Sequence, residues 1–348
     1  MNRCCWLLGL SLLGSCAVLA RMMPDPYPPV DWSRSAWRTV VARPGVSLRG
    51  LCVVDGNVVW ASGSKGTVLR SVDGGATWQD VGPRGAEACD FRDVHAFDRD
   101  TAVVMVAGQP ARLYRTADGG GTWTIVHEDA RPAAFFDAIA FDGDRGFLLG
   151  DPLDGAFTLL RSDDRGATWR AMPGPAAIAG EACFAASGTC LDASADMVRF
   201  VTGGSACRIF SSRDGAQTWL TGVLPLRCGA ASQGAFGIGL AGCALAVVGG
   251  DYAAPDAVAG TAATNNTGDT MLWPVRGEGA LGYRSAVLWL DATQLIAVGE
   301  GGASYSNDVG RTWQPFGTEG FHALAKGRDG AVFACGGGGR VARLVPPQ

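Results

Sequence analysis

The sequence predicts an all-β fold made of seven small sheets, and two recurring patterns carry this prediction. First, a box of eight residues ending in Thr-Trp occurs five times, at 71–78, 116–123, 162–169, 212–219 and 306–313. A worn sixth copy starts at Thr264, so successive starts lie 45, 46, 50, 52 and 42 residues apart. Second, seven apolar segments run into a glycine-rich corner, as at 58–63 and 103–108. Repeats of this period, each long enough for about four strands, indicate a seven-bladed β-propeller over residues 37–348.

Each box is predicted to be the turn between the third and fourth strands of a blade. Short strands precede and follow it, as at 67–70 and 78–81. Its aspartate accepts hydrogen bonds from its own turn, and the tryptophan offers a large ring to the core between blades. These aspartates are Asp73, Asp118, Asp164, Asp214 and Asp308. The pattern resembles the Asp box, or BNR repeat, of β-propellers, which implies a scaffold role. Ala216 and Asn266 depart from it, in blades four and five.

The last blade needs a strand from the other end of the chain. After residues 340–344 the sequence ends without an outer strand for blade seven. Residues 37–40, Trp-Arg-Thr-Val, look like the Trp-Gln-Asp-Val of residues 78–81, but have no box before them. We therefore expect residues 37–40 to pair with residues 340–344, which closes the ring and protects its sheet edges.

The first 36 residues read as a targeting segment. Residues 1–20 have a short basic start, Asn2-Arg3, and an apolar run too short to cross a membrane, which predicts a signal peptide. Leu13-Gly-Ser-Cys16 fits a bacterial lipobox with lipidation at Cys16, and Val18-Leu-Ala20 fits ordinary cleavage instead. Residues 21–36 form a proline-rich tether. The expected location is the periplasm, either free or as a membrane-anchored lipoprotein held only by that lipid.

Composition narrows the function classes. The chain has 348 residues, 47% of them hydrophobic, and a net charge of −4 with 18% charged residues. Because no basic run exists, nucleic acid is not an expected partner. Neither a CxxC nor a CxxH spacing occurs, and Gly336–Gly339 ends a strand rather than opening a helix. We therefore expect no metal and no cofactor.

Cysteines cluster in blade four and its neighbour. Five of the eight that follow Cys16 lie there. Cys207 and Cys228 are placed on one face of blade four, and Cys190 and Cys243 after the first strands of blades four and five. We therefore predict the disulfides Cys207–Cys228 and Cys190–Cys243.

Charged and aromatic residues are predicted to converge at one mouth of the central channel. In a propeller the connections between blades and the corners between the second and third strands emerge on the same face. The candidate ligand-binding residues at these positions are Arg49, Lys65, Arg92, Asp93, Asp137, Asp151, Glu181, Asp251, Tyr252, Tyr283, Arg284 and His322. Arginines engage carboxylates through two hydrogen bonds, and tyrosines add amphipathic contact area.

Several motifs resemble a bacterial propeller family named for the photosystem II stability/assembly factor. They include Asp90-Phe-Arg-Asp93, Gly150-Asp-Pro152 and Gly282-Tyr-Arg-Ser285, and the resemblance covers roughly residues 37–345. It implies an exported seven-bladed propeller that binds another protein while a complex assembles. We expect a non-enzymatic monomer whose protein partner lies in the cell envelope. The mouth would recognise a protein segment or a polar ligand.

A sialidase-like glycoside hydrolase is the alternative, because sialidases also carry Asp boxes on propellers. That chemistry would require an arginine triad, a tyrosine nucleophile with an assisting glutamate, and an acid/base aspartate. The residue types are available as Arg49, Arg92, Arg284, Tyr283, Glu181 and Asp137. The Phe/Tyr-Arg-Ile-Pro motif of many sialidases is absent, since the sequence there reads Val46-Ser-Leu-Arg49.

Overall fold

A computed structural model describes residues 32–194, 196–279 and 282–346 and shows a seven-bladed β-propeller, as the sequence predicts. The predicted signal peptide, Cys16 and the tether up to residue 31 lie outside the described residues. Within the described part, no helix is long and apolar enough to cross a membrane.

The strands follow one another around the ring, with each blade ordered from the channel outwards. A 3-10 turn at Trp32–Arg34 precedes β1 (Ala36–Val41). Blade one comprises β2 (Leu48–Val53), β3 (Val59–Gly63), β4 (Val68–Ser71) and β5 (Gln79–Asp80). Blade two comprises β6 (Phe91–Ala96), β7 (Ala102–Val106), β8 (Ala111–Thr116) and β9 (Thr124–Asp129). Blade three comprises β10 (Phe136–Asp142), β11 (Arg145–Leu153), β12 (Ala156–Ser162) and β13 (Arg170–Met172).

Blades four to six carry additional short strands. Strand β14 (Glu181–Ala182) precedes blade four, which comprises β15 (Leu191–Ser194), β16 (Met197–Val201), β18 (Arg208–Ser212) and β19 (Leu220–Val223). Strand β17 (Gly203–Gly204) links β14 to blade five, which comprises β20 (Gln233–Ala241), β21 (Ala244–Asp251), β22 (Ala262–Asn265) and β23 (Val275–Arg276). Blade six comprises β24 (Glu278–Gly279), β25 (Ala286–Trp289), β26 (Leu295–Gly299), β27 (Gly302–Ser306) and β28 (Thr312–Gly317).

Blade seven is completed by the N-terminal strand. It comprises β29 (Ala323–Lys326), β30 (Val332–Gly336), β31 (Arg340–Val345) and, as its outer strand, β1. Strands β1 and β31 are antiparallel, with Trp37 opposite Leu344. The ring of Trp37 packs against Phe316 of blade six and Phe321 of blade seven, at centroid distances of 6.3 and 5.1 Å. The predicted closure is therefore confirmed, and contacts between the half-buried ring of Trp37 and these two phenylalanines reinforce the ladder.

The five Asp boxes share one hydrogen-bond pattern. In blade one, Asp73 Oδ1 accepts hydrogen bonds from Ser71 Oγ and from the backbone amide of Thr77, and Asp73 Oδ2 accepts one from Thr77 Oγ1. Ser71 Oγ also accepts the amide of Gly75. Blade four keeps this pattern although Ala216 replaces the glycine and takes a left-handed φ of 70°.

The worn box of blade five lies one residue later than the sequence suggests. Strand β22 ends at Asn265, which pairs with Leu245 as Ser71 pairs with Val59. Asn265, and not Thr264, therefore takes the serine position, and its side chain bonds Thr267 and the carbonyl of Leu272. One extra residue then precedes the tryptophan, so Asn266 does not replace the box aspartate.

The predicted disulfides are not formed. Cys207 is a free thiol in the core of blade four, whereas Cys228 is free and exposed, so their side chains point into different environments. Cys190 is also free and fully buried. It precedes β15 at the mouth face, while Cys243 is exposed in the turn between β20 and β21 at the other face. The prediction was wrong because it placed Cys190 after, rather than before, the first strand.

Candidate functional site at the channel mouth

A cavity of about 310 Å³ opens at the face where the connections between blades emerge. Residues from five blades, together with the connection into blade four, surround it. They are Arg49, Arg92, Phe135, Cys183, Phe184, Ala185, Ala186, Phe236, Tyr252, Tyr283 and Glu300. Four of the sequence-predicted residues line this cavity, namely Arg49, Arg92, Tyr252 and Tyr283.

The floor of the cavity is the connection that leads into blade four. We call residues 183–189 the channel segment. Cys183 donates its backbone amide to Asp151 Oδ1 of blade three at 3.0 Å, and Ser187 Oγ donates to the carbonyl of Ser285 in blade six at 2.8 Å. A side chain at Gly188 would collide with the carboxylate of Asp93 in blade two. The segment therefore crosses the channel, so a ligand at the mouth rests on it.

The guanidinium groups of the two cavity arginines are only partly paired with neighbouring acceptors. Arg92 Nε donates to Asp90 Oδ2 at 2.8 Å, and its Nη1 lies 3.5 Å from the carbonyl oxygen of Ala185. Arg49 Nη2 lies 3.7 Å from Glu300 Oε1, and Glu300 is largely exposed. Both cations thus retain donors for an acidic ligand.

His322 lies beside these arginines rather than in the cavity wall. Burial and the charges of Arg49, Arg92 and Arg340 lower its pKa to about 3, so its ring is neutral at physiological pH. Its Nε2 lies 3.3 Å from Ser47 Oγ, and its Nδ1 lies 3.6 Å from Glu300 Oε1. The order Ser–His–Glu is that of a hydrolase relay. A general base needs a pKa near the working pH, however, and burial together with three nearby cations keeps the pKa of this histidine well below that value.

The predicted aspartates of blades two and three lie beneath the channel segment. Asp93 accepts the backbone amides of Val94 and Ile139, both at 2.8 Å, and burial raises its pKa to about 7. Asp137 is fully buried, and neither of its oxygens has a hydrogen-bond partner among the described residues. The amide of Ala185 faces it without reaching hydrogen-bonding geometry, and burial raises the pKa of Asp137 well above the ordinary value. Burial likewise raises the pKa of Asp151.

Glu181 and Arg284 are held by neighbouring strands and do not line the cavity. Glu181 accepts hydrogen bonds from Arg208 Nε and from Thr202 Oγ1, at 2.8 and 2.6 Å. Arg284 is buried and donates to the Tyr283 carbonyl and to Ser304 Oγ, and burial lowers its pKa to about 10. Since Ser304 belongs to β27, this arginine is held inside blade six rather than in the cavity.

Asp251 and Lys65 occupy corners between the second and third strands. Asp251 accepts hydrogen bonds from Gln233 Nε2 and from the amide of Ala253, each at 2.9 Å, so it orders the corner of blade five. Lys65 is exposed at the corner of blade one, with a left-handed φ of 60°. Neither side chain lines the cavity.

The arrangement a sialidase would need is not assembled among the described residues. Glu181 is engaged with Arg208, Asp137 is buried below the channel segment, and Arg284 is held by Ser304. Tyr283 is 5% exposed, and burial raises the pKa of its hydroxyl further above the ordinary value. In this structure these candidate residues of a sialidase site therefore have other partners or are buried.

Sequence reasoning missed three contributors to the mouth. Phe184 stacks on Phe236 with ring centroids 3.9 Å apart, and Ala185 accepts from Arg92. Arg340, assigned only to a strand, adds a third guanidinium near His322. A usable signal was the long connection between β13 and β15, whose residues 185–188 are all small. Such residues suit a segment that passes close to other backbones.

The comparisons with known proteins agree with this fold. The family model of the photosynthesis system II assembly factor YCF48 matches residues 90–233. Two similar solved structures are YCF48 bound to D1 peptide, and YCF48 from Cyanidioschyzon merolae. The first has 17% identity and a TM-score of 0.62, covering 94% of this chain and 100% of that one. The second has 17% identity and a TM-score of 0.64, covering 89% and 98%.

A glycoside hydrolase shares the architecture as well. The GH74 xyloglucanase of Xanthomonas campestris has 18% identity and a TM-score of 0.59, covering 88% of this chain and 53% of that one. No curated protein matches the sequence. At these identities the structural likenesses establish the propeller fold. Together with the family model they confirm the resemblance to YCF48-like BNR propellers.

Proposed function

We propose that this chain, a YCF48-like BNR propeller, is a non-enzymatic scaffold that binds an acidic segment of a protein partner at its channel mouth. The observation that carries the proposal is the pair Arg49 and Arg92, set in one cavity with aromatic side chains. The YCF48 structure bound to D1 peptide supports a peptide as the kind of ligand.

The geometry favours a ligand that lies across the mouth. The channel segment blocks entry into the channel, so a peptide chain could not thread through the ring. Arg92 is fixed at Nε by Asp90, and its Nη1 has only a long contact of 3.5 Å with the Ala185 carbonyl, so the terminal nitrogens keep hydrogen-bonding capacity for a ligand. Carboxylates bound by guanidinium groups gain charge-assisted hydrogen bonds, each worth about 1.5–3 kcal/mol.

Binding of dye-labelled acidic peptides, followed by fluorescence anisotropy, tests this proposal. The double variant Arg49→Ala/Arg92→Ala is expected to weaken binding roughly ten- to one-hundredfold. Arg92→Lys keeps the charge but loses the planar fork, so it should weaken binding less. Arg112→Ala, which removes a partly exposed pair with Glu128 on blade two, is the matched control. Unchanged affinity in the double variant would contradict the proposal.

The site of action is proposed to be the cell envelope. The lipobox Leu13-Gly-Ser-Cys16 and the apolar run before it support export with lipidation at Cys16, and Val18-Leu-Ala20 supports cleavage without lipid. Mass spectrometry of the mature N-terminus separates these two outcomes, and Cys16→Ser should abolish lipidation only in the first. Sedimentation analysis tests the further proposal that the mature protein is a monomer.

A further inference from the structure

One half of the mouth cavity is a rigid aromatic wall. Phe184 lies nearly parallel to the fully buried Phe236, with an interplanar angle of 11°. A side chain at Gly203 would collide with the ring of Phe184, and one at Gly234 would press on it. Gly203 of β17 and Gly234 of β20 thus leave room for this ring, so the fold fixes the position of Phe184.

Tyr252 extends this wall to the rim and is the exposed member of the group. It is 53% exposed, whereas Tyr283 beside it is 5% exposed. Its ring stands edge-on to Phe184 and Phe236, with centroids 6.4 and 6.2 Å apart. These contacts leave part of the tyrosine ring uncovered at a cavity edge. Exposed aromatic rings in concave sites are typical anchors in recognition surfaces.

The cationic half of the cavity, at Arg92, and the aromatic half, at Phe184, meet at the backbone of the channel segment. Arg92 contacts the carbonyl of Ala185, and Phe184 is the preceding residue. A volume of about 310 Å³ is at the small end of ligand pockets, so it admits one side chain with its attached polar group. Because the guanidinium of Arg92 and the ring of Phe184 line the same small cavity, they suit a ligand in which a carboxylate and an aromatic ring are neighbours.

We propose that the cavity selects a segment in which an aromatic side chain lies next to a carboxylate, with the ring against Phe184 and Tyr252 and the carboxylate on Arg92. This inference rests on the proposed function, since it specifies which acidic segment binds. The carboxylate can come from a chain terminus after the aromatic residue or from an adjacent acidic side chain. The cavity chemistry is the same for both sources.

Four dye-labelled peptides test the inference on the full-length protein. The sequences are Gly-Ser-Gly-Ser-Phe and Gly-Ser-Gly-Ser-Ala with a free C-terminal carboxylate, Gly-Ser-Gly-Ser-Phe amide, and Gly-Ser-Asp-Phe-Gly amide, each with the dye on its N-terminus. We expect the phenylalanine acid, the Asp-Phe amide or both to bind at least roughly tenfold tighter than the alanine acid. The phenylalanine amide, which has no carboxylate, should bind weakly. The better of the first two identifies the source of the carboxylate.

Two tyrosine variants separate a ring contact from a general effect on folding. Tyr252→Ala should weaken binding of the aromatic peptides roughly three- to tenfold and leave the alanine acid unchanged, and Tyr252→Phe should restore the affinity. Val223→Ala, at an exposed position on blade four, is the control. If neither the phenylalanine acid nor the Asp-Phe amide bound more tightly than the alanine acid, this inference would be overturned while the acidic-segment function stayed intact. No binding of any acidic peptide would overturn both.

Discussion

Asp93 provides a sharp test of the electrostatics beneath the channel segment. Its carboxylate is 5% exposed and accepts two backbone amides, one of them from Ile139 in the next blade. Burial nevertheless outweighs these hydrogen bonds and raises its pKa from 3.8 to about 7. The perturbation is Asp93→Asn, which keeps the shape of the side chain and removes its titration.

The sign and size of the effect follow from this pKa. Because the folded-state pKa exceeds the unfolded-state value, folding favours the protonated carboxyl. Its contribution to stability is complete below about pH 4 and is lost as the pH rises through about 7. A difference of about three pKa units corresponds to about 4 kcal/mol. The asparagine variant leaves one amide without an acceptor and should be about 1–3 kcal/mol less stable at pH 4. Its disadvantage should shrink or reverse by pH 8.

Urea unfolding of the wild type and the variant at intervals from pH 4 to pH 8 measures this difference. The free-energy difference between the two proteins should shift by up to about 4 kcal/mol in favour of asparagine. Taking differences removes the contribution of Asp137, which titrates in the same direction in both proteins. Asp256→Asn, at an exposed position, is the control. Parallel stability curves for the wild type and Asp93→Asn would refute the assigned burial effect.

Three further predictions address closure, the ion pair of Arg208 with Glu181 and the cysteines. Trp37→Ala should lower the free energy of unfolding by about 2–3 kcal/mol, because the variant loses a half-buried ring that packs at the closing strand. Urea denaturation measures this difference, and a change below about 0.5 kcal/mol would contradict the prediction. Arg208→Ala should cost about 3–5 kcal/mol by stranding the buried carboxylate of Glu181, and Arg208→Ala/Glu181→Gln should recover part of that loss in the same assay. Maleimide labelling of the native protein, read by peptide mass mapping, should modify exposed Cys228 and spare buried Cys207, and an intact bridge between them would be inconsistent with the structure.

The repeat pattern predicted most of the fold. Each Asp box supplies its own hydrogen-bonding partners within eight residues, so its turn forms from local sequence alone. The count of apolar strands predicted seven blades, and the unboxed Trp37 segment predicted the closing strand. These features are local or periodic, and such information is present in a single sequence.

The sequence predicted the face on which the cavity opens but not the partners of the predicted side chains. Arg49, Arg92, Tyr252 and Tyr283 meet in one cavity, whereas Arg284, which has a similar sequence context, is held inside blade six. Arg92 and Arg284 each directly follow an aromatic residue, Arg92 at the start of β6 and Arg284 two residues before β25. Their different roles depend on packing between blades.

The path of the channel segment across the ring depends on tertiary structure alone. Residues 183–189 show no motif, yet they cross the channel and touch blades two, three and six. The prediction of the Cys190–Cys243 disulfide was wrong for a related reason. Strand β15 begins later in the structure than the sequence suggested, so Cys190 lies at the other end of its blade. Repeated local hydrogen bonds and apolar periodicity are encoded residue by residue, so the sequence by itself determined the ring of blades. The path of an irregular connection depends on contacts with distant blades, and only the folded ring could decide it.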